Sequence, residues 1–459
     1  MRSALLGLPV LLFGCAVGPD YHRPDLSPPP SFRGNEQQSA AGSFATTQWQ
    51  TVYTDPKLQE LIALALQGNL DLKTAMARID EARAELNVSR MAFAPTIDAT
   101  GSLGRTRTSL DMLTPGSPPI RNIEQVAVSA SYELDLWGRV RRSTEAARAT
   151  LLGTEYAQRT VTTVLIANVA DAYFNLQSLD AQLEITQRTV GSREKFVALT
   201  RAQHDRGYAT GLDVATAEAQ ADAARALVPD LQRRITQTED QLCVLLGQNP
   251  HAIERTNLGE LMPEVPPLPA AGLPSELLEQ RPDVRAMEES LRAANANVGV
   301  AKAALFPTIS LTGLAGSLSS PLGNLFRTPT AEWSAAVNAV QPLLDPQRSL
   351  FQVEAADARK REALDGYEQA VRTAFQEVAD ALVAYARYGE SARELANQVE
   401  ALRRAQQIAL GRYRVGYASY FDVINADRDL FTAELTLNQA YTNGLTAYVQ
   451  LYQALGGGW

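Results

Sequence analysis

Two phrases put a carboxylate at matching places in two chain reversals. RGYATGLDV (Arg206–Val214) carries Asp213 and VGYASYFDV (Val415–Val423) carries Asp422, each six residues beyond a glycine, Gly207 or Gly416. A carboxylate at such a turn has two uses. It can cap the helix that follows, accepting hydrogen bonds from free backbone N–H groups, or several copies can bring it into a ring of like charge across an opening. Gly207, Gly211 and Gly416 have the character of helix-ending residues with left-handed backbone.

Other chemistry is hard to assemble. Cys15 and Cys243 are the only cysteines, so neither a disulfide framework nor a cysteine metal site can be built. His22, His204 and His251 are scattered. No phosphate-cradling glycine loop, HExxH or nucleophile elbow occurs. Neither catalysis nor a metal site is expected, and no cofactor beyond a covalent lipid on Cys15. With 42 basic against 51 acidic residues the formal charge is −9, which argues against a nucleic-acid partner, because phosphate binding needs concentrated Lys and Arg.

The elements that must position the two turns are duplicated. Gly416 minus Gly207 and Asp422 minus Asp213 both give 209. AFAPTIDATG at Ala92 matches ALFPTISLTG at Ala304, and EAARA at Glu145 matches EAADA at Glu354. A period this long is domain-sized duplication and not a solenoid. The chain divides into a signal peptide (1–14), a Pro-rich strap (15–48), a first repeat (49–250), a linker (251–273) and a second repeat (274–459).

Residues 1–14 have one Arg2 and a short apolar run ending LLFGC, too short to span a bilayer as a helix and matching a secretory leader. The end of that run resembles a bacterial lipobox, with Leu12, Gly14 and then Cys15 as the residue to be lipidated. Ala16 after it implies outer-membrane delivery. The strap beyond is rich in Pro and Ser and is expected to be extended.

Within each repeat the hydrophobic period changes. Ile97, Ala99, Gly101 and Leu103 alternate with Thr96, Asp98, Thr100 and Ser102, and Val126, Val128, Ala130, Tyr132 and Leu134 alternate likewise. That is a strand hairpin whose strands have the roughly ten-residue length of a transmembrane β-strand. Ile309 to Ala315 and Trp333 to Ala339 repeat it. Tyr132 and Trp333 suit interfacial aromatic girdles. Four strands cannot close a membrane barrel, whose smallest examples have about eight, so other chains must complete the sheet.

From Arg139 to about Arg206 the pattern is helical without proline, roughly 100 Å at 1.5 Å per residue. Apolar residues step by four and three (Leu165, Val169, Ala172, Leu176, Leu179), the coiled-coil period. Leu231, Ile235, Thr238, Leu242 and Leu245 keep that period, with Pro229 expected to bend or interrupt the strip. The second repeat does the same.

Helix, strand hairpin and long helical hairpin, twice over, resemble the outer membrane factors, the TolC-like channels of Gram-negative efflux and secretion systems. GPDYHRP, DPKLQELI, RPD at Arg281, both PTI openings, RYRVGY at Arg412 and ALGGGW look like its lipoprotein branch. The resemblance implies a mixed α and β fold. It would be a homotrimer whose twelve strands form one outer-membrane β-barrel, continued by a periplasmic α-helical coiled-coil barrel.

The function implied is an exit channel that passively conducts drugs or other small compounds. They would arrive from a periplasmic adaptor and an inner-membrane pump, commonly of the resistance-nodulation-division class. A periplasmic aperture would involve Tyr413, Asp422 and Asp213, with Phe421 at an apolar ring position. Asn425 replaces a second acid of the family phrase and Ala418 replaces an aperture arginine, which shifts reliance to Phe421 and Tyr420. The turns at Gly207, Gly211 and Gly416 would dock the adaptor. Two rivals remain: the outer duct of a protein secretion system, and a non-conducting lipid-anchored periplasmic coiled-coil scaffold.

Overall fold

The computed structural model describes residues 16–33, 47–256, 266, 272, 274–341 and 346–457. The signal peptide, Cys15, residues 34–46 of the strap, most of the linker, Gly458 and Trp459 lie outside the described residues. The first repeat contains α1 (Trp49–Val52), α2 (Pro56–Gly68), α3 (Leu70–Met91), β1 (Thr96–Arg107), β2 (Ile120–Glu133), α4 (Arg139–Asp205) and α5 (Gly211–Leu245). The second contains α6 (Pro274–Gln280), α7 (Pro282–Ala303), β3 (Thr308–Ser319), β4 (Ala331–Val340), α8 (Pro346–Arg414) and α9 (Tyr420–Ala454).

The chain forms two compact units, and neither is one of the repeats. The first takes Met1–Asp25, Ala77–Glu155 and Ala286–Glu368; the second takes Leu26–Met76, Tyr156–Arg285 and Gln369–Trp459. Each therefore draws on both copies.

In the first unit the strands form one antiparallel sheet in the order β1-β2-β3-β4. Its register decides the faces. Ile97 lies opposite Ala130, Ala99 opposite Val128, Tyr132 opposite Leu311, Leu311 opposite Val337 and Ala315 opposite Trp333. Because side chains alternate along a strand, these residues share one apolar face. Thr100, Ser129, Thr312 and Asn338 share the other, where Asn338 Nδ2 donates to Thr312 Oγ1 at 3.0 Å. Trp333, Val337, Ile97 and Val128 are all exposed, an apolar surface of the kind that marks a membrane or partner. Tyr132 sits at the helix end of this face and Trp333 toward the loop end. Gly316 permits the close approach of β3 to β2: a Cβ there would lie 2.4 Å from the Val126 carbonyl oxygen. β1 and β4 each keep one edge without a partner strand among the described residues.

Residues 16–25 are extended and docked on the same unit. The Val17 N–H donates to the Trp137 carbonyl at 3.0 Å, Asn295 Nδ2 to the Pro19 carbonyl at 2.8 Å, and buried Arg142 pairs with Asp20 at 2.7 Å. Gly18, with φ +108°, abuts the backbone of Gly299, where a Cβ would be 2.5 Å away.

The second unit is helical. Asp55 caps α2 through the Lys57 and Leu58 N–H groups, with Pro56 at the first helical position. Asn69 ends α2 and caps α3, accepting from the Leu72 N–H at 2.9 Å and donating to the Leu245 carbonyl at 3.0 Å. The heptad positions are the buried ones: Val169, Leu176 and Leu179 on α4, Leu231, Ile235 and Leu242 on α5, Leu437 and Leu451 on α9. Val399, Leu430, Ala433 and Leu437 form one cluster between α8 and α9. Pro229 lies inside α5, which runs on through it to Leu245. Among the described residues no helix is long and apolar enough to cross a membrane.

Candidate functional site: the paired helix turns

Both turns close by the same backbone device. The Gly207 N–H reaches the His204 carbonyl at 2.8 Å and the Tyr208 N–H reaches Gln203 at 2.9 Å; Gly416 and Tyr417 do the same to Tyr413 and Arg412 at 3.1 and 2.9 Å. Gly207 and Gly416 have φ of +81° and +82°, the left-handed residue of a Schellman ending. Gly211 is different and corrects its assignment as a helix-ending residue. It opens α5 with no left-handed backbone, and its counterpart 209 residues on is Tyr420, the first residue of α9.

The helices that follow begin with matched capping boxes, and this refines the role of the two acids. The N-caps are Thr210 and Ser419, while Asp213 and Asp422 are the third helical residues that fold back on them. Asp213 Oδ2 accepts from the Thr210 N–H at 2.8 Å and hydroxyl at 2.7 Å. Asp422 Oδ2 accepts from the Ser419 N–H at 2.9 Å and hydroxyl at 2.7 Å. These hydrogen bonds favour the charged form. The Thr210 N–H, first, then its hydroxyl hold Asp213 below the usual carboxylate range, and the Ser419 hydroxyl, then its N–H, do so for Asp422. Both therefore carry fixed negative charge at neutral pH.

An aromatic knot sits behind the turns. Tyr420 stacks on Phe196 with centroids 5.1 Å apart and planes 16° off parallel. Tyr413 lies 5.5 Å from Phe196 and 6.2 Å from Tyr420, and its hydroxyl donates to Gln203 Oε1 at 2.5 Å. Burial raises the phenol pKa of both tyrosines. Tyr420 is thus packed between helices, with 9% of its surface exposed. Phe421 is 68% exposed and keeps the assignment open to it. Asn425 is half-buried. Tyr208, Leu212, Val415 and Tyr417 add exposed apolar surface at the tips.

Ionic ties hold α9 to its neighbours above the turns. Buried Arg193 on α4 pairs with Asp427 at 2.8 Å, donates to the Gln220 carbonyl at 3.0 Å and lies over the Phe431 ring. Gln406 on α8 donates to the other Asp427 oxygen at 2.9 Å. Glu434, 6% exposed, accepts from Arg188 of α4 and, at 3.0 Å, from Arg403 of α8. The sequence reading singled out neither these residues nor Phe196, Gln203, Thr210 and Ser419. For Thr210 and Ser419 the signal was present, as S/T-x-x-D directly after each turn. For the ion pairs there was none: Arg193 lies 234 residues from Asp427 and Arg188 lies 246 from Glu434, and Arg403, 31 residues from Glu434, meets it only once α8 and α9 pack together. The described residues bring together no group of His, Cys, Asp and Glu able to hold a metal.

Among the described residues an apolar-faced sheet with unpaired outer edges is joined in one chain to coiled-coil hairpins that end in charged and aromatic turns, the architecture expected of a channel-type protein of the bacterial outer membrane. The comparisons with known proteins make that specific. The model of the outer membrane efflux protein family matches residues 61–248 and 273–457, and the chain belongs to that family. It is 36% identical to the probable efflux pump outer membrane protein TtgC of Pseudomonas putida, over 100% of this chain and 96% of that one. It is 33% identical to the outer membrane protein OprJ of Pseudomonas aeruginosa, over 100% and 97%. The solved structure of the outer-membrane channel OprN superposes with a TM-score of 0.90 at 30% identity, covering 97% of this chain and 100% of that chain.

Proposed function

We propose that this chain is the outer-membrane exit duct of a three-part efflux system in a Gram-negative bacterium. Three copies pair β1 of one with β4 of the next, giving a twelve-stranded barrel with its apolar face to lipid and its polar face to the lumen. Small compounds pass through passively after delivery by a periplasmic adaptor and an inner-membrane pump of the resistance-nodulation-division type. The adaptor docks at the exposed tips around Gly207, Gly211 and Gly416. Asp213, Asp422 and Phe421 line the periplasmic aperture, Tyr413 holds it from behind, and Asn425 stands where a second acid would add to the charge. Cys15 carries the lipid.

The observation that carries this reading is the four-stranded sheet, polar on one face and apolar on the other, with both outer edges open among the described residues. Such edges invite pairing with another chain. The test is single-channel conductance of the purified protein in a planar bilayer, comparing wild type, Asp213→Ala plus Asp422→Ala, and Thr210→Ala plus Ser419→Ala. Discrete currents that grow or lengthen with the first pair more than with the second support a charge-lined aperture, because the second pair loses caps but keeps both carboxylates. Silence despite verified insertion would refute the duct.

A further inference from the structure

Behind the second turn, α4, α5, α8 and α9 enclose a cleft of about 210 Å³ that the channel reading leaves unused. Its apolar lining comes from Phe196 and Leu199 of α4, Leu410 of α8, and Tyr420, Val423 and Ile424 of α9, with Ser192, Gln220 and Gln406 among its polar residues. Its charges are unbalanced. Arg193, Lys195 and Arg414 line it against the single carboxylate of Asp427, a local excess of two positive charges in a chain of formal charge −9.

The carboxylate is already committed, accepting from Arg193 and Gln406. Arg193 uses Nε on Asp427 and Nη1 on the Gln220 carbonyl. Lys195 and Arg414 stand exposed on opposite helices, and neither makes an ion pair among the described residues. Lys195 has Gly191, Ser192, Ala198 and Leu199 at its helical neighbours three and four residues away, so it belongs to no charge ladder on its own helix. Small-molecule sites are apolar hollows with a few convergent polar groups, and this cleft has that form with positive sign.

We propose that the cleft binds a small amphipathic organic anion, a carboxylate or sulfonate on an apolar body. The acid group sits between Lys195 and Arg414, where charge-assisted hydrogen bonds favour it, and the body lies against Phe196, Tyr420 and Ile424. The ligand would rest directly on the stack that joins α4 to the start of α9, so occupancy reports on the packing behind the second turn. This site goes beyond conduction and does not depend on it.

The experiment is titration calorimetry of 4-phenylbutyrate into the full-length protein in nanodiscs, with empty nanodiscs subtracted and 4-phenylbutylamine as the cationic control. Expected is saturable binding of the acid, about one per chain, roughly tenfold or more weaker in Lys195→Gln plus Arg414→Gln, and no comparable binding of the amine. Both residues are exposed and unpaired, so the variant should fold, and its melting temperature verifies that. Three outcomes would overturn the proposal: no binding above empty nanodiscs, equal binding to the variant, or equal binding of the amine. If a glutamate-rich helical peptide bound through Lys195 and Arg414 while the acid did not, the cleft would belong to a protein partner instead.

Discussion

Asp171 on α4 should make this protein less stable as pH rises toward neutrality, the reverse of ordinary acid denaturation. Its carboxyl is half-buried, Thr446 of α9 donates one hydrogen bond to it, and its Oδ1 is buried without a hydrogen-bond partner among the described residues. The Tyr53 hydroxyl is likewise buried with no partner among the described residues. Burial dominates and pushes the Asp171 pKa from 3.8 up to about 7.

The sign follows from proton counts. Between about pH 4 and pH 7 the folded chain holds at Asp171 a proton that the unfolded chain has released, so the contribution of Asp171 to stability falls as pH rises through that window and levels off above it. At about 1.4 kcal/mol per unit, a shift from 3.8 to about 7 amounts to about 4 kcal/mol per chain. Asp171→Asn keeps an acceptor for Thr446 and is neutral at every pH. Its stability relative to wild type should therefore be near zero at about pH 4 and approach about 4 kcal/mol above about pH 7. The assay is denaturant unfolding of both proteins in the same detergent across that range, read as the difference, which cancels every other carboxylate. Parallel curves would show that Asp171 ionises without penalty and refute the reasoning.

Gly316→Val should abolish barrel assembly, because a side chain there meets the Val126 carbonyl and Ala127 at 2.4 to 2.7 Å. Gly313→Val is the control, since its Cβ has nothing nearer than 3.9 Å and it points to the apolar face. The measurement is the membrane-inserted, heat-modifiable fraction on gels, and equal fractions for the two variants would count against the register. Glu434→Gln should loosen α9 from both α4 and α8. Removing a buried countercharge costs several kcal/mol, reduced here to roughly 1–3 because Arg188 and Arg403 reach solvent. Hydrogen exchange should rise along α9 around Asp427 to Tyr441 and stay unchanged in β1 to β4; no change in α9 would mean the ion pairs carry little.

Local patterns were legible in the chain itself. The alternation of Ile97, Ala99 and Gly101 with Thr96, Asp98 and Thr100 set both the strand and its apolar face, because a strand's period of two leaves one choice once a face is apolar. The four-three stepping of Leu165 to Leu179 set the coiled-coil face of α4, and the repeated Gly-Tyr phrases set the two turns, because each signal lies within a few residues of the element it specifies. Pairings across the chain had no such trace. That Tyr420 turns inward onto Phe196, that Arg193 meets Asp427, and that Glu434 joins two helices depend on which faces meet after folding. Gly18 against Gly299 shows the same limit for the strap: composition made it extended, but only the close backbone approach decided where it lies. The division into units was likewise tertiary, since two copies of one pattern can each pack alone or exchange partners, and here each unit is built from both.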